Sequence, residues 1–133
     1  MKKYPFCRHI HSAIDSTLAL KSELNDSDLE SISSIDIDAY RIASEHDNCN
    51  PKNIQELKQS LPYAVAISLA CDKVSLDSID ELIDKGLFSE EVSEEEILKI
   101  RNIANKINVY ENEELNQLTP EKRPSKVMIK YND

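Results

Sequence analysis

Residues 60–70 read SLPYAVAISLA, and this stretch decides the fold of the 133-residue chain. From residue 63 to residue 70 the side chains are apolar on nearly every side of a helix, and a helix without a polar face has to be buried. Ser60 is predicted to cap this helix, because its hydroxyl can accept a hydrogen bond from a backbone N–H of the first turn. The other elements are therefore expected to pack around residues 63–70, with Tyr63 in the first turn next to a cleft.

Two helices are predicted before this stretch. Residues 9–23 carry apolar side chains at helical spacing and should form a half-buried helix. Asn50 is predicted to cap a second helix with Pro51 in its first turn, where the missing N–H of proline costs nothing. That helix should break or kink at Pro62.

Two further helices are predicted after the stretch. Ser75 is expected to cap one of them, and Gly86 should end it because glycine adopts the left-handed conformation of a helix C-terminus. Ser93 and Glu96 have the spacing of a capping box at the start of the last helix. Gly86 is also the only glycine of the chain, which excludes glycine-rich loops for nucleotide phosphates.

Three strands are predicted from apolar residues that alternate with polar ones, at residues 32–42, around 109–110 and at 127–131. The expected class is α+β, with a small antiparallel sheet of about three strands covered by four to five helices. Alternation places Asp36 and Asp38 together on the outer face of the first strand. We interpret them as a solvated strand face and not as a pair of metal ligands.

Charge and cysteine usage exclude several classes of function. The net charge of −9 disfavours nucleic acid and anionic membrane surfaces as partners. No apolar run is long enough to span a bilayer, and no signal sequence follows the first lysines, so a cytoplasmic location is predicted. Cys7, Cys49 and Cys71 form no paired motif and are interpreted as reduced thiols. The spacing of His46, Asp47 and Cys49 matches no common metal site, so no metal is predicted.

The positively charged beginning of the chain is the candidate site. Residues 4–15 read YPFCRHIHSAID, and residues 1–11 contain no carboxylate. A small anion could be held at such a positive segment of an acidic protein. His11 and Asp15 are four residues apart, so that on a helix the carboxylate could bond one ring nitrogen and support the imidazolium. The alternative from spacing alone is an exposed ion pair of little energetic weight.

Three segments resemble the MmgE/PrpD family, which includes 2-methylcitrate dehydratases and cis-aconitate decarboxylases. They are residues 4–15, the helical region 51–74 with its SLPYAVA motif, and the late segment 123–130, which reads RPSKVMIK. The segments occur in the family's order and span nearly the whole chain. The resemblance covers only the smaller domain of such proteins, so residues 1–133 are interpreted as that single domain, without the large helical domain.

The resemblance implies a metal-independent and cofactor-free lyase of propionate metabolism that acts on a small tricarboxylate or dicarboxylate. His11, backed by Asp15, would be the acid/base group. Arg8 and Lys3 would hold carboxylates, and Tyr63 would donate a hydrogen bond to the substrate. The resemblance leaves open whether the reaction is a dehydration, a decarboxylation or an epimerisation.

This chain alone is expected to contribute one wall of an active site, and a separately encoded large helical domain could supply the other wall. Whether the chain is an enzyme by itself therefore stays open. The alternative is a non-catalytic module that kept the fold and binds an anion or a protein. The sequence also leaves open whether the chain forms homo-oligomers, and whether it is a short natural gene or a fragment.

Overall fold

The computed structural model describes residues 4–71, 74–91, 94–118 and 125–131. A short 3-10 helix spans Arg8–Ile10, and eight α-helices lie in the described ranges. Their bounds are α1 His11–Lys21, α2 Asp26–Glu30, α3 Arg41–Ser44, α4 Ile54–Lys58, α5 Leu61–Ala70, α6 Leu76–Asp84, α7 Glu95–Ala104 and α8 Glu113–Asn116. The strands are β1 Ile32–Ala39, β2 Ile107–Glu111 and β3 Ser125–Tyr131.

The α+β class with a three-stranded sheet is confirmed. Four of the helices, α1, α5, α6 and α7, have nine to eleven residues, and α5 packs against both α1 and α7. The other four have only four or five residues, and most of them occupy the connections between longer elements.

The sheet is mixed and not entirely antiparallel as expected. The strand order is β2-β1-β3, with β1 antiparallel to β3 but parallel to β2. Residues 40–106, which include α3 to α7, carry the chain back to the end of the sheet where β1 began, and a crossover of this kind produces parallel pairing. Alternation identifies a strand and its buried face, but it contains no information about the strand's direction.

Helix α5 lies at the centre, as the apolar stretch predicted. Residues 61–69 are all buried, and α5 packs between α1 and α7. Ser60 caps the helix by accepting a hydrogen bond from the Tyr63 backbone N–H at 3.2 Å. The same hydroxyl donates to the Asn48 carbonyl at 2.6 Å, so this buried polar group is satisfied twice.

The inner face of the sheet completes the core. Ile35 and Ile37 of β1 are fully buried, and their neighbours across the sheet are the apolar residues of β2 and β3. The outer face is polar, as predicted. Asp36 forms an ion pair with Lys130 at 3.2 Å, and Asp38 accepts a hydrogen bond from the Asn112 side chain.

Two of the predicted helix boundaries are confirmed. The Ser75 side chain caps α6 by accepting a hydrogen bond from the Ser78 backbone N–H. Gly86 follows the end of α6 with φ of 99°, a conformation that costs a residue with a Cβ atom energy. The N–H of Leu87 returns to the Leu82 carbonyl at 3.0 Å, which closes the helix end in a Schellman motif.

The predicted cap at Asn50 is wrong. Helix α4 begins at Ile54, and Asn53 is its cap, accepting a hydrogen bond from the Glu56 N–H at 2.9 Å. Asn53 and not Asn50 is the cap because Glu56 stands three residues after Asn53, and the Glu56 carboxylate accepts a hydrogen bond from the Asn53 side chain. The Asn50 N–H instead donates to the Asn48 side chain.

The predicted capping box at the last long helix differs as well. Helix α7 has Glu94 at its N-cap, and Ser93 lies outside the described residues. The Glu96 carboxylate forms an ion pair with Lys85 at 2.8 Å. That ion pair ties the start of α7 to the end of α6.

Candidate active site

The first segment, residues 4–15, is held against the core by its apolar side chains. Phe6, Ile10 and Ile14 are almost completely buried. The Cys7 N–H donates to the Lys58 carbonyl at 2.7 Å, which ties the segment to the end of α4. Because one side of the segment is anchored in this way, the polar groups on its other side have fixed positions.

His11, at the start of α1, is half-buried and has a defined tautomer. Its Nε2 lies 2.9 Å from the Phe6 carbonyl oxygen, which can only accept a hydrogen bond, so Nε2 carries a proton. In the neutral ring the lone pair is therefore on Nδ1. This nitrogen is the one that can take up a proton in a reaction.

Asp15 is bonded to Tyr4 and not directly to His11 as the spacing suggested. The Tyr4 hydroxyl donates to Asp15 Oδ1. The Tyr4 ring stands edge-on to the His11 ring, with the ring centroids 5.3 Å apart. The His11 Nε2–H donates to the Phe6 carbonyl and not to Asp15. Tyr4 contacts both groups, the carboxylate through its hydroxyl and the imidazole through its ring. The three residues are nevertheless brought into one cluster, which we call the Tyr4–His11–Asp15 cluster.

The structure describes only one of the two predicted carboxylate-binding residues. Arg8 lies in the 3-10 turn just before α1, and its side chain is exposed. Lys3 lies outside the described residues.

His9 forms a second polar cluster that the sequence reasoning missed. Its Nδ1 lies 2.6 Å from the hydroxyl of Tyr40, a residue that is only 2% exposed. The ring of His46 is also near, with centroids 5.9 Å apart. The alternation placed Tyr40 on the outer face of a strand at 32–42, but β1 ends at Ala39 and Tyr40 is buried. No sequence signal connects Tyr40 to His9.

Tyr63 lies in a cleft of its own, with a volume of about 520 Å³. The lining residues come from three regions, namely 49–52, 87–90 and α7. The cleft is not lined by residues 4–15, so in the described part of the chain Tyr63 and His11 do not share one pocket. The prediction that a cleft lies at the first turn of α5 is confirmed.

The Tyr63 side chain is buried and interacts with Arg101 of α7. Burial raises the pKa of the Tyr63 phenol above its ordinary value, since the phenolate would lose its hydration. The positive charge of the nearby Arg101 guanidinium offsets part of that rise in pKa. Tyr63 is therefore a neutral hydrogen-bonding group at physiological pH.

The described residues contain no group of three or more His, Cys, Asp or Glu side chains that could hold a metal ion. Within those same ranges, none of the helices is both long enough and apolar enough to cross a bilayer.

Comparison with protein families covers nearly the whole chain. Residues 4–133 match the model of the MmgE/PrpD C-terminal domain. Comparison with curated proteins gives no match. The matched range includes all three segments in which the sequence resembles that family.

Proposed function

Because the chain belongs to the MmgE/PrpD family, we propose that it forms one wall of a carboxylate-binding active site of a lyase of the 2-methylcitrate dehydratase type. A large helical domain of the kind that the family resemblance implies would form the other wall. In this proposal the substrate is a small tricarboxylate or dicarboxylate, and the protein works in the cytoplasm.

The observation that supports this proposal best is the way in which His11 is held. A general base needs a ring nitrogen with a lone pair, a fixed orientation and a pKa near neutrality. The Phe6 carbonyl orients the ring through Nε2–H and leaves Nδ1 as the basic nitrogen. The Asp15 carboxylate, held by the Tyr4 hydroxyl, supplies a negative charge near the imidazolium that forms.

Dehydration of a hydroxy acid requires one proton to be removed and one to be delivered. His11 Nδ1 takes the proton from the carbon next to a substrate carboxylate, and the electron pair of that C–H bond forms the new double bond. The hydroxyl on the neighbouring carbon leaves with a proton as water. The His11 imidazolium can return its proton to that hydroxyl, so the histidine ends the cycle neutral.

Cations would hold the acid during these steps. Arg8 presents a guanidinium on the exposed side of the first segment, three residues before His11. A guanidinium binds a carboxylate with two parallel hydrogen bonds, which fixes the orientation of the acid. Lys3 is proposed as a second clamp. Tyr63 lies in a different cleft from His11, so in this proposal its hydroxyl donates to an acid bound in that cleft and not to the acid held by Arg8.

The proposal is tested by an NMR titration of the whole chain with 2-methylcitrate or cis-aconitate at millimolar concentration, following the imidazole signals of the three histidines. Saturable shifts are expected for His11 and should be lost in Arg8→Gln, which keeps the histidine but removes the clamp. His11→Ala assigns the signal. His46→Ala is the matched control, because it removes an imidazole outside the cluster and should leave the shifts intact.

Either of two results would contradict a part of this proposal. Unchanged His11 signals in a folded protein would favour the alternative of a non-catalytic module. Shifts that persist at full size in Arg8→Gln would remove the clamp from the proposal.

A further inference from the structure

His9 and Tyr40 form a polar contact that the proposed chemistry does not use. Tyr40 follows the last residue of β1 and is almost completely buried. Its hydroxyl lies 2.6 Å from Nδ1 of His9, and the two rings stand edge-on with their centroids 5.7 Å apart. A buried phenol needs a hydrogen-bond partner, so this contact stabilises the pair whichever group donates. The contact joins two positions that are 31 residues apart in the chain.

Tyr40 is a fixed point of attachment, because its backbone belongs to the boundary between two elements. It follows β1 directly and is the N-cap residue of α3. The Ser44 N–H donates to the Tyr40 carbonyl at 2.9 Å. Strand β1 is the middle strand of the sheet and is paired on both sides. A group that is bonded to the Tyr40 hydroxyl is therefore held in place relative to the centre of the sheet.

His9 is the middle residue of the 3-10 turn, and this turn connects the groups of the candidate site. Arg8 directly precedes His9. The His11 N–H donates to the Arg8 carbonyl, so the first residue of α1 is bonded to the turn. The Phe6 carbonyl, which accepts from His11 Nε2–H, lies just before the turn. A rotation of the turn would therefore change how both Arg8 and the Phe6 carbonyl lie relative to His11.

Apolar packing and the His9–Tyr40 contact restrain the turn in different ways. Phe6 and Ile10 on either side of the turn are buried in the core. Hydrophobic burial is not directional, so it keeps the segment on the core without selecting one orientation of its polar side. A hydrogen bond is directional, and the contact between His9 and Tyr40 can select that orientation.

We propose that His9 and Tyr40 are positioning residues for the acid site. Their hydrogen bond holds the 3-10 turn in the orientation in which Arg8 faces the acid at His11 and the Phe6 carbonyl orients the imidazole. The inference rests on the proposed function, in that Arg8 and His11 are the groups that are positioned. His9 and Tyr40 act through the turn and do not touch the reacting atoms.

A purely stabilising hydrogen bond is the competing explanation. Such a bond would lower the free energy of unfolding when it is removed, but it would leave the folded site unchanged. Exchange of the His11 Nε2–H proton with water distinguishes the two roles. The hydrogen bond to the Phe6 carbonyl slows this exchange, and local opening of the first segment speeds it. The exchange rate is measured by NMR on the whole chain without any ligand.

Tyr40→Phe keeps the ring and removes the hydroxyl that His9 contacts. Exchange of the His11 Nε2–H proton should become at least about fivefold faster, as the loss of one hydrogen bond makes local opening easier. Tyr110→Phe is the matched control, because it removes an exposed hydroxyl from β2, and it should leave the exchange unchanged. Ile79→Val is the control for stability, because it trims a buried side chain of α6 and leaves the His9–Tyr40 pair intact.

Two variants of the half-buried His9 make the same test without a change in the core. The side-chain amide of His9→Asn can take the place of Nδ1 and keep the bond to Tyr40. The amide of His9→Gln extends instead to the place of Nε2. His9→Asn should therefore exchange like the wild type, and His9→Gln should exchange like Tyr40→Phe.

A titration with cis-aconitate then connects the exchange result with acid binding. Tyr40→Phe and His9→Gln should weaken the affinity by about three- to tenfold, which corresponds to the loss of one hydrogen bond. Tyr110→Phe and Ile79→Val should bind the acid like the wild type.

Unchanged exchange at His11 in both Tyr40→Phe and His9→Gln would overturn the inference, and so would equally fast exchange in Ile79→Val. Binding of cis-aconitate with wild-type affinity in both variants would also overturn it while leaving the proposed function standing. Faster exchange in both variants, in a protein whose wild type does not bind the acid, would support the positioning of His11 and contradict the proposed function.

Discussion

Helix α5 and the first segment, residues 4–15, use their buried side chains in different ways. Nine of the ten residues of α5 are buried, so the helix is surrounded by protein on all sides. The first segment buries only one side, and Arg8 and Asp15 on its other side are exposed. The difference indicates that α5 mainly stabilises the fold. The buried side of the first segment instead fixes the positions of the polar groups on its other side.

The largest expected effect is a cavity in α5. Ile67 is fully buried at the centre of the helix, so Ile67→Ala should lower the free energy of unfolding by about 2–5 kcal/mol. Urea unfolding measures this change. Leu98→Ala is the matched control on α7, because Leu98 is 47% exposed and its truncation should change stability by less than about 0.5 kcal/mol. Equal losses in the two variants would contradict the central position of α5.

A smaller effect is expected from the cap of the same helix. Ser60→Ala removes the acceptor for the Tyr63 N–H and the donor to the Asn48 carbonyl, in a position with no solvent exposure. The free energy of unfolding should fall by about 1–2 kcal/mol. Ser22→Ala, which removes an exposed hydroxyl after α1, should change it far less. A Ser60 variant as stable as the wild type would show that the cap adds little to α5.

A change at Tyr4 tests whether the first segment positions polar groups or stabilises the core. Tyr4→Phe keeps the ring against His11 but removes the hydroxyl that donates to Asp15. A loss of about 0.5–1.5 kcal/mol in stability is expected, as for one partly buried hydrogen bond. If the segment serves chemistry, the affinity for cis-aconitate in the NMR titration should fall as well. A stability loss as large as that of Ile67→Ala would instead make the segment part of the structural core.

The smallest effect is expected at Glu96, where the ion pair is partly exposed. The hydrogen bond from Lys85 lowers the pKa of the Glu96 carboxyl, burial opposes this, and the Cys71 thiol adds a weaker lowering contact. Because the folded-state pKa is lowered, the stabilisation is present above the unfolded-state pKa and is lost as the pH falls through the folded-state pKa. Water and salt screen the interaction, since the two side chains are 42% and 36% exposed.

Thermal unfolding of Glu96→Gln between neutral and acidic pH tests this sign. The small deficit relative to the wild type should disappear at acidic pH and should shrink at high salt. Glu95→Gln is the neighbouring control without a recorded ion pair in the described residues. A deficit that grows as the pH falls would contradict the lowered pKa.

Several parts of the fold follow from local sequence. The apolar run 63–70 predicted a buried helix, and alternation predicted β1 with its polar outer face. Gly86 ends its helix where the sequence placed it. These predictions succeed because burial, turn geometry and capping depend on neighbours within a few residues.

The candidate site could be predicted only in part. The motif around His11 identified the histidine and the nearby Arg8, but helical spacing suggested the wrong partner for the imidazole. The Phe6 carbonyl takes Nε2 because the chain turns through a 3-10 helix before α1. Tyr63 was predicted from the family motif, yet Arg101 beside it gave no local signal, because an arginine on a helix face usually serves solubility.

By itself, the sequence determined the α+β class, the central apolar helix and the membership of the family, since each depends on local pattern or on segments in order. The tertiary structure alone decided that β2 runs parallel to β1, that Tyr4 contacts both Asp15 and His11, and that Arg101 lines the same cleft as Tyr63. The physical reason is the same in each case. Strand direction and long-range polar contacts depend on where the whole chain returns, and a local pattern of residues does not contain that information.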